Sequence, residues 1–153
     1  MTSQPSLKTS GILGALVLVL ALAACAEREP PDPPQPVQVR DAWSRPAAIG
    51  TTGVAYITLE NTDTADVHLT RVISTVATRA ELHETMDSQG MSHMEPRPDV
   101  LVAHGATIAM RPGGLHIMLV ELTRALAVGD TVPLSLRFAD GRAVRALAIV
   151  RAN

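Results

Sequence analysis

The chain has 153 residues, a formal net charge of −2 at pH 7 and only three aromatics, Trp43, Tyr56 and Phe138. That length suits a single domain, and the mildly acidic balance, with no arginine cluster interleaved with rings, argues against nucleic acid as a partner. So few rings also leave no stacking platform for bases or sugars, and each of the three is expected in the core.

In chain order, Met1 to Ala24 reads as an export signal. Lys8 supplies positive charge, Gly11 to Leu22 is an unbroken apolar run, and small residues follow. The run is too short for a comfortable membrane span. The one cysteine, Cys25, ends Leu22-Ala23-Ala24-Cys25, which resembles the lipobox of bacterial lipoproteins. That resemblance implies lipidation of Cys25 and attachment to a membrane on the periplasmic side of the cell envelope. Ala26 rather than Asp after the cysteine resembles lipoproteins sorted to the outer membrane, if the cell has two membranes. With Cys25 so used, the remainder has no thiol for a disulfide or a thiolate metal site. Glu27 to Pro36, EREPPDPPQP, is proline-rich and charged. It is expected to form a stiff spacer that lifts the following domain about 30 Å from the anchor. The expected organisation is therefore signal 1–24, lipidated Cys25, linker 26–36 and domain 37–153.

From Val37 the pattern is of short strands separated by turns. Strands are expected at Val37 to Trp43, Gly53 to Glu60, Asp66 to Ser74, Arg79 to Met86, Ala106 to Arg111, Leu115 to Leu122, Thr131 to Phe138 and Ala143 to Arg151. Turn signals lie between most of them, at Asn61-Thr62-Asp63, Asp87 to Gly90, Pro112-Gly113-Gly114, Gly129-Asp130 and Asp140-Gly141. Thr131 to Phe138 alternates most cleanly, with Val132, Leu134, Leu136 and Phe138 on one face. No segment of helical period competes. Seven or eight such strands point to an all-β antiparallel β-sandwich.

Residues 83 to 94, HETMDSQGMSHM, hold two histidines and three methionines, and His116 and Met118 lie two residues apart in a later strand. In Leu115 to Leu122, alternation puts His116 and Met118 side by side on one face, where one ion could touch both. In Arg79 to Met86, Ala80, Leu82 and Met86 form the apolar side while Glu81, His83 and Thr85 face outward. Asp87-Ser88-Gln89-Gly90 then reads as a type I turn. If Ser88 and Gln89 are the loop, the cross-strand partners are Met86 with Met91, Thr85 with Ser92, Glu84 with His93 and His83 with Met94. A glycine bulge at Gly90 would instead oppose Met94 to Glu84, and turn chemistry alone leaves both registers open.

Thioether sulfur is a soft, neutral donor suited to Cu(I), and imidazole binds copper in either common oxidation state. Hard ions would require carboxylate and carbonyl oxygens, and a structural zinc site would normally include cysteines. Methionine also needs no deprotonation to bind and cannot be lost to a disulfide. A site of two imidazoles and two thioethers leaves a single positive charge on the Cu(I) complex and can give its metal away.

The spacing His83, ten residues, Met94, twenty-one residues, His116, one residue, Met118 resembles the ligand motif of the periplasmic PCuAC copper chaperones. Asp41-Ala42-Trp43, Glu81-Leu82-His83-Glu84 and Pro112-Gly113-Gly114-Leu115-His116-Ile117-Met118-Leu119 are similar to that family's framework, over roughly Val37 to Phe138. The resemblance implies a cupredoxin-like (immunoglobulin-like) β-sandwich of seven to nine short strands with His83, Met94, His116 and Met118 as Cu(I) ligands. It also implies copper delivery to the dinuclear centre of cytochrome c oxidase, often beside a thiol-bearing co-chaperone. Members often carry a His- and Met-rich C-terminal tail with a second copper site, whereas this sequence reads Arg151-Ala152-Asn153 there. Met86, Met91 and His93 are the candidates for a secondary site, which could take Cu(II) as well.

No enzyme is expected. No Ser-His-Asp or Cys-His set, phosphate loop or dinucleotide fingerprint occurs, and nothing near Glu81, Glu84 or Glu95 would orient a water or a substrate. His68 and His104 are expected to be structural or solvated, and Met110 to be core. Two other functions fit the same strands: copper scavenging without a specific recipient, and an immunoglobulin-like interaction module without metal. Blue-copper electron transfer is disfavoured because it uses a cysteine thiolate.

Overall fold

The computed structural model describes residues 2, 36–88 and 90–152. The expected signal, the lipobox Cys25 and the spacer as far as residue 35 lie outside the described residues, apart from the isolated residue 2. Ten strands follow: β1 (Val37–Ser44), β2 (Gly53–Asn61), β3 (Val67–Ile73), β4 (Ala77–Ser88), β5 (Met91–Pro96), β6 (Val100–Val102), β7 (Thr107–Ala109), β8 (Leu115–Leu122), β9 (Thr131–Phe138) and β10 (Ala143–Val150). Their hydrogen-bonded order is β5-β4-β8-β2-β1-β10-β9-β3-β6, with β7 on β2. A pairing of Val72 with Ala80 joins β3 to β4 and closes the seven strands from β4 to β3 into a ring. The other three are accessories.

The all-β cupredoxin-like class stands, with two refinements. The strand count is ten, because β5 and β6 add to the expected set; β6, at three residues, is too short to carry a period-2 signal. One pairing is parallel, β1 with β10, through Trp43↔Ile149 and Ser44↔Val150. Parity requires it: alternating directions cannot close around an odd number of strands.

The ring encloses one apolar core. On β9, Val132, Leu134, Leu136 and Phe138 are buried while Thr131 and Arg137 are exposed, as the alternation predicts. Ile57 and Leu59 of β2, Leu69 and Val72 of β3, Leu82 of β4, and Ile117 and Leu119 of β8 meet them there. Met110 joins this core.

The other two aromatics are covered on the outside of the wall. The β1–β2 register shifts by one residue between Arg40 and Trp43, and Asp41 takes a φ of 47°, a left-handed conformation that Asp tolerates better than most residues. One extra residue turns every later side chain to the opposite face. Trp43 therefore points outward with its partner Tyr56, the ring centroids 4.5 Å apart. Tyr56 alternates with the interior residues Ala55 and Ile57 yet is itself buried, beneath Trp43 and the Arg45 guanidinium, which lies 5.8 Å from its ring centre.

Candidate metal centre

β4 and β8 are adjacent antiparallel strands whose interior residues Leu82 and Ile117 pair inside the core. Alternation then sends their neighbours outward together: His83 opposes His116, and Glu81 opposes Met118. The imidazole centroids are 6.2 Å apart. His116 is 5% exposed and the His83 side chain 14%, so the outward-facing pair is covered rather than solvated. Tyr56 forms part of the cover, its ring 6.5 Å from that of His116. Burial pushes the Tyr56 phenol up, with Arg45 pulling the other way, so the ring stays neutral.

The hydrogen bonds fix which nitrogens are available. The Gly114 carbonyl lies 2.8 Å from His116 Nδ1. A carbonyl only accepts, so Nδ1 carries the hydrogen and Nε2 presents its lone pair. In His83, Nε2 donates to a Glu81 carboxylate oxygen at 3.2 Å, while Nδ1 is buried with no hydrogen-bond partner. The bonds from His83 and then from Arg79 hold the Glu81 carboxyl below its ordinary value of 4.5, so it remains an acceptor. Each histidine thus has one nitrogen tied to a protein oxygen and, among the described residues, no hydrogen-bond partner on the other.

Met94 comes from β5, which among the described residues pairs only with β4. The hairpin register is neither of the two expected. Ser88 opposes Met91, Asp87 opposes Ser92, Met86 opposes His93, Thr85 opposes Met94, Glu84 opposes Glu95 and His83 opposes Pro96. Ser88 is therefore in the ladder rather than in the loop, and Gly90 lies between the paired Ser88 and Met91 with a φ of 80°, the positive value that a tight hairpin connection needs. Sliding the loop by one residue moves the pairing by two. An even slip preserves faces, so Met94 keeps to the side of His83 but sits one diagonal step away, a spacing of about 7–8 Å that a long side chain can bridge. Its side is solvent-facing, with Met94 49% exposed.

His83, Met94, His116 and Met118 therefore share one face of the three-stranded β5-β4-β8 unit. Met86 and His93 oppose each other on the reverse face, with Met91 two residues from His93, so the three candidates for a secondary site are separated from the four. The remaining histidines take no part: His68 pairs with Asp99 at 2.8 Å on the surface, and His104 is held by Asp66 and by the Asp63 carbonyl. Glu84 is engaged by Arg97 at 2.6 Å. Glu81 is the participant that the sequence left unassigned. Its signal was the i, i+2 spacing to His83 on an outward strand face, which brings a carboxylate beside an imidazole.

Residues 37–150 match the family described as "Putative lipoprotein LpqE-like". A curated relative, "Putative lipoprotein Lxx21020" of Leifsonia xyli subsp. xyli, is 33% identical over 88% of this chain and 86% of its own. Among solved structures, the copper(I)-bound DR1885 of Deinococcus radiodurans is 32% identical, covering 78% of this chain and 82% of that one with a TM-score of 0.58. The copper-bound PCuAC domain from PmoF2 aligns over 78% of this chain and 95% of that one with a TM-score of 0.65, at 21% identity. The chain belongs to the LpqE-like lipoprotein family and has the fold of PCuAC domains.

Proposed function

We propose that this protein is an exported Cu(I) chaperone, tethered to the envelope through Cys25 and the 26–36 spacer. It holds copper on His83, Met94, His116 and Met118 and delivers it by ligand exchange to the dinuclear copper centre of cytochrome c oxidase. The observation that carries this reading is the state of the two imidazoles. Metal-binding histidines characteristically give their second ring nitrogen to a carboxylate or a backbone carbonyl, which fixes the tautomer and raises the basicity of the first. Glu81 and the Gly114 carbonyl stand in those two roles. Packing alone gives no reason for the unpaired buried Nδ1 of His83, since an unmet buried polar group costs about 1–3 kcal/mol.

The donor chemistry selects the ion. Among the described residues no group of three or more His, Cys, Asp and Glu is placed to hold a metal, whereas the register puts the thioethers of Met94 and Met118 on the face of the imidazole pair. Thioethers favour Cu(I). The Glu81 carboxylate beside His83 and Met118 balances the single positive charge that four neutral ligands leave on that ion. Release begins at Met94, the exposed ligand, where a partner's thiolate or thioether can replace it while the imidazoles still hold the metal.

A competition titration of the purified protein with Cu(I) against a chromophoric chelator tests the site. Replacing His116 and Met118 together by alanine is expected to weaken binding by about 100-fold or more, since even loss of an outer-shell partner costs 10–100-fold. Unchanged binding in that variant would overturn the reading. Delivery is tested by deleting the gene and measuring copper loading of cytochrome oxidase under copper limitation. Reduced loading supports delivery. Normal loading with new copper sensitivity points instead to scavenging in the envelope.

A further inference from the structure

We propose that the reverse face of the β4–β5 ribbon carries a second, independent soft-metal site, in which Met86, His93 and Met91 take a monovalent ion of the Cu(I) or Ag(I) type. The register is the first support. Met86 and His93 are directly opposed, which puts their Cβ atoms about 4.5–5.5 Å apart, and Met91 lies on the same face one step along β5. The shift of two residues created this pairing: in the register expected from the turn, Met86 would have met Met91 and His93 would have met Glu84.

The second support is the environment of each donor. His93 Nε2 lies 3.4 Å from a Glu95 carboxylate oxygen, the carboxylate–imidazole contact that leaves Nδ1 for a metal. The Met86 sulfur accepts one hydrogen bond among the described residues, from an Arg97 nitrogen at 3.8 Å, a contact weak enough for a metal to displace. That guanidinium is itself paired with Glu84. Two carboxylates, Glu84 and Glu95, against one guanidinium give the face a net single negative charge, which attracts a monovalent cation and does not oppose it.

Packing does not explain the group. Every residue of β5 is exposed, with Met91 at 69%, and a thioether on such a ribbon gains little from burial. Met91 and His93 are open to solvent, and Met86 is half-buried beside them. The site faces solvent, so it binds more weakly and exchanges faster than the covered imidazole pair, and it can accept an ion arriving from outside without disturbing the other face.

The test is a titration of the purified protein with Ag(I), a redox-inert stand-in for Cu(I), followed by the methyl resonances of the methionines and the ring resonances of His93. The first equivalent is expected to move Met94 and Met118, and the second to move Met86, Met91 and His93. The variant Met86→Leu, Met91→Leu, His93→Gln should bind one equivalent fewer and keep the first unchanged. In the His116→Ala, Met118→Ala variant the Met86 and Met91 shifts should persist, which separates this site from the chaperone reading. Methyls of Met86 and Met91 that stay still through two equivalents, or a hairpin variant that still takes up both ions, would falsify the proposal.

Discussion

The barrel wall and the hairpin contribute to the same group of donors on opposite terms. His83, His116 and Met118 stand on β4 and β8, whose alternate residues Leu82, Ile117 and Leu119 are locked in the core. Met94 stands on β5, an edge strand with one neighbour and no buried residue. The first three donors are pre-positioned by the energy that folds the domain. The fourth is held only by a two-stranded ladder, which is marginal without a packed face. In the function proposed above, that division would let the imidazoles fix where the ion sits and the thioether on the ribbon set how readily it leaves.

Two substitutions separate these roles. Glu81→Gln removes the carboxylate that orients His83 while keeping its volume. It is expected to lower Cu(I) affinity by about 10–100-fold, without unfolding the domain, as measured by chelator competition and thermal melting. An affinity equal to wild type would mean that the wall does not organise the site through Glu81. Met94→Leu should act differently. Affinity falls by about tenfold or less, carried by a faster off-rate in stopped-flow transfer to a thiol acceptor, and stability stays within about 0.5 kcal/mol because the side chain is exposed. An unchanged off-rate would place the gate elsewhere than the ribbon.

The sequence showed the two halves with unequal clarity, for physical reasons. Strand periodicity is strong where a strand is half buried, so β8 and β9 were legible to the residue, and His116 and Met118 fell on one face by counting. The hairpin was not, because β5 buries nothing and its register depends on which residue adopts positive φ. Gly90 could serve inside the loop or after it, and only the folded chain chooses. The bulge at Asp41 escaped for a similar reason: an aspartate in the left-handed region leaves no mark on hydropathy, yet it moves Trp43 from the inner to the outer face. Glu81 was visible as a neighbour of His83, but its meaning required knowing that Nδ1 on the other side of the ring was unmet.

The smallest expected effect separates the acid response of the fold from that of the site. Away from β4, β5 and β8, Arg142 bonds Asp63 of the β2–β3 turn and Asp140 of the β9–β10 turn, each at 2.6 Å. The side-chain bond from Arg142 to Asp63, and the Arg142 backbone N–H to Asp140, hold both carboxyls below their ordinary value of 3.8. A carboxyl depressed on folding stabilises the native state above its unfolded value, and that contribution is lost as pH falls through the folded one. Thermal stability should therefore decline below about pH 4, where these turns protonate. Arg142→Gln should lower the melting temperature at pH 7 by a few degrees at most, since the groups are exposed, and should flatten the decline in acid. Copper affinity should be unmoved at pH 7, because acid competes for the metal at the imidazoles and nowhere in these turns. A melting curve whose acid limb is flattened while the binding curve keeps its own would show that the wall and its cargo answer to different protons.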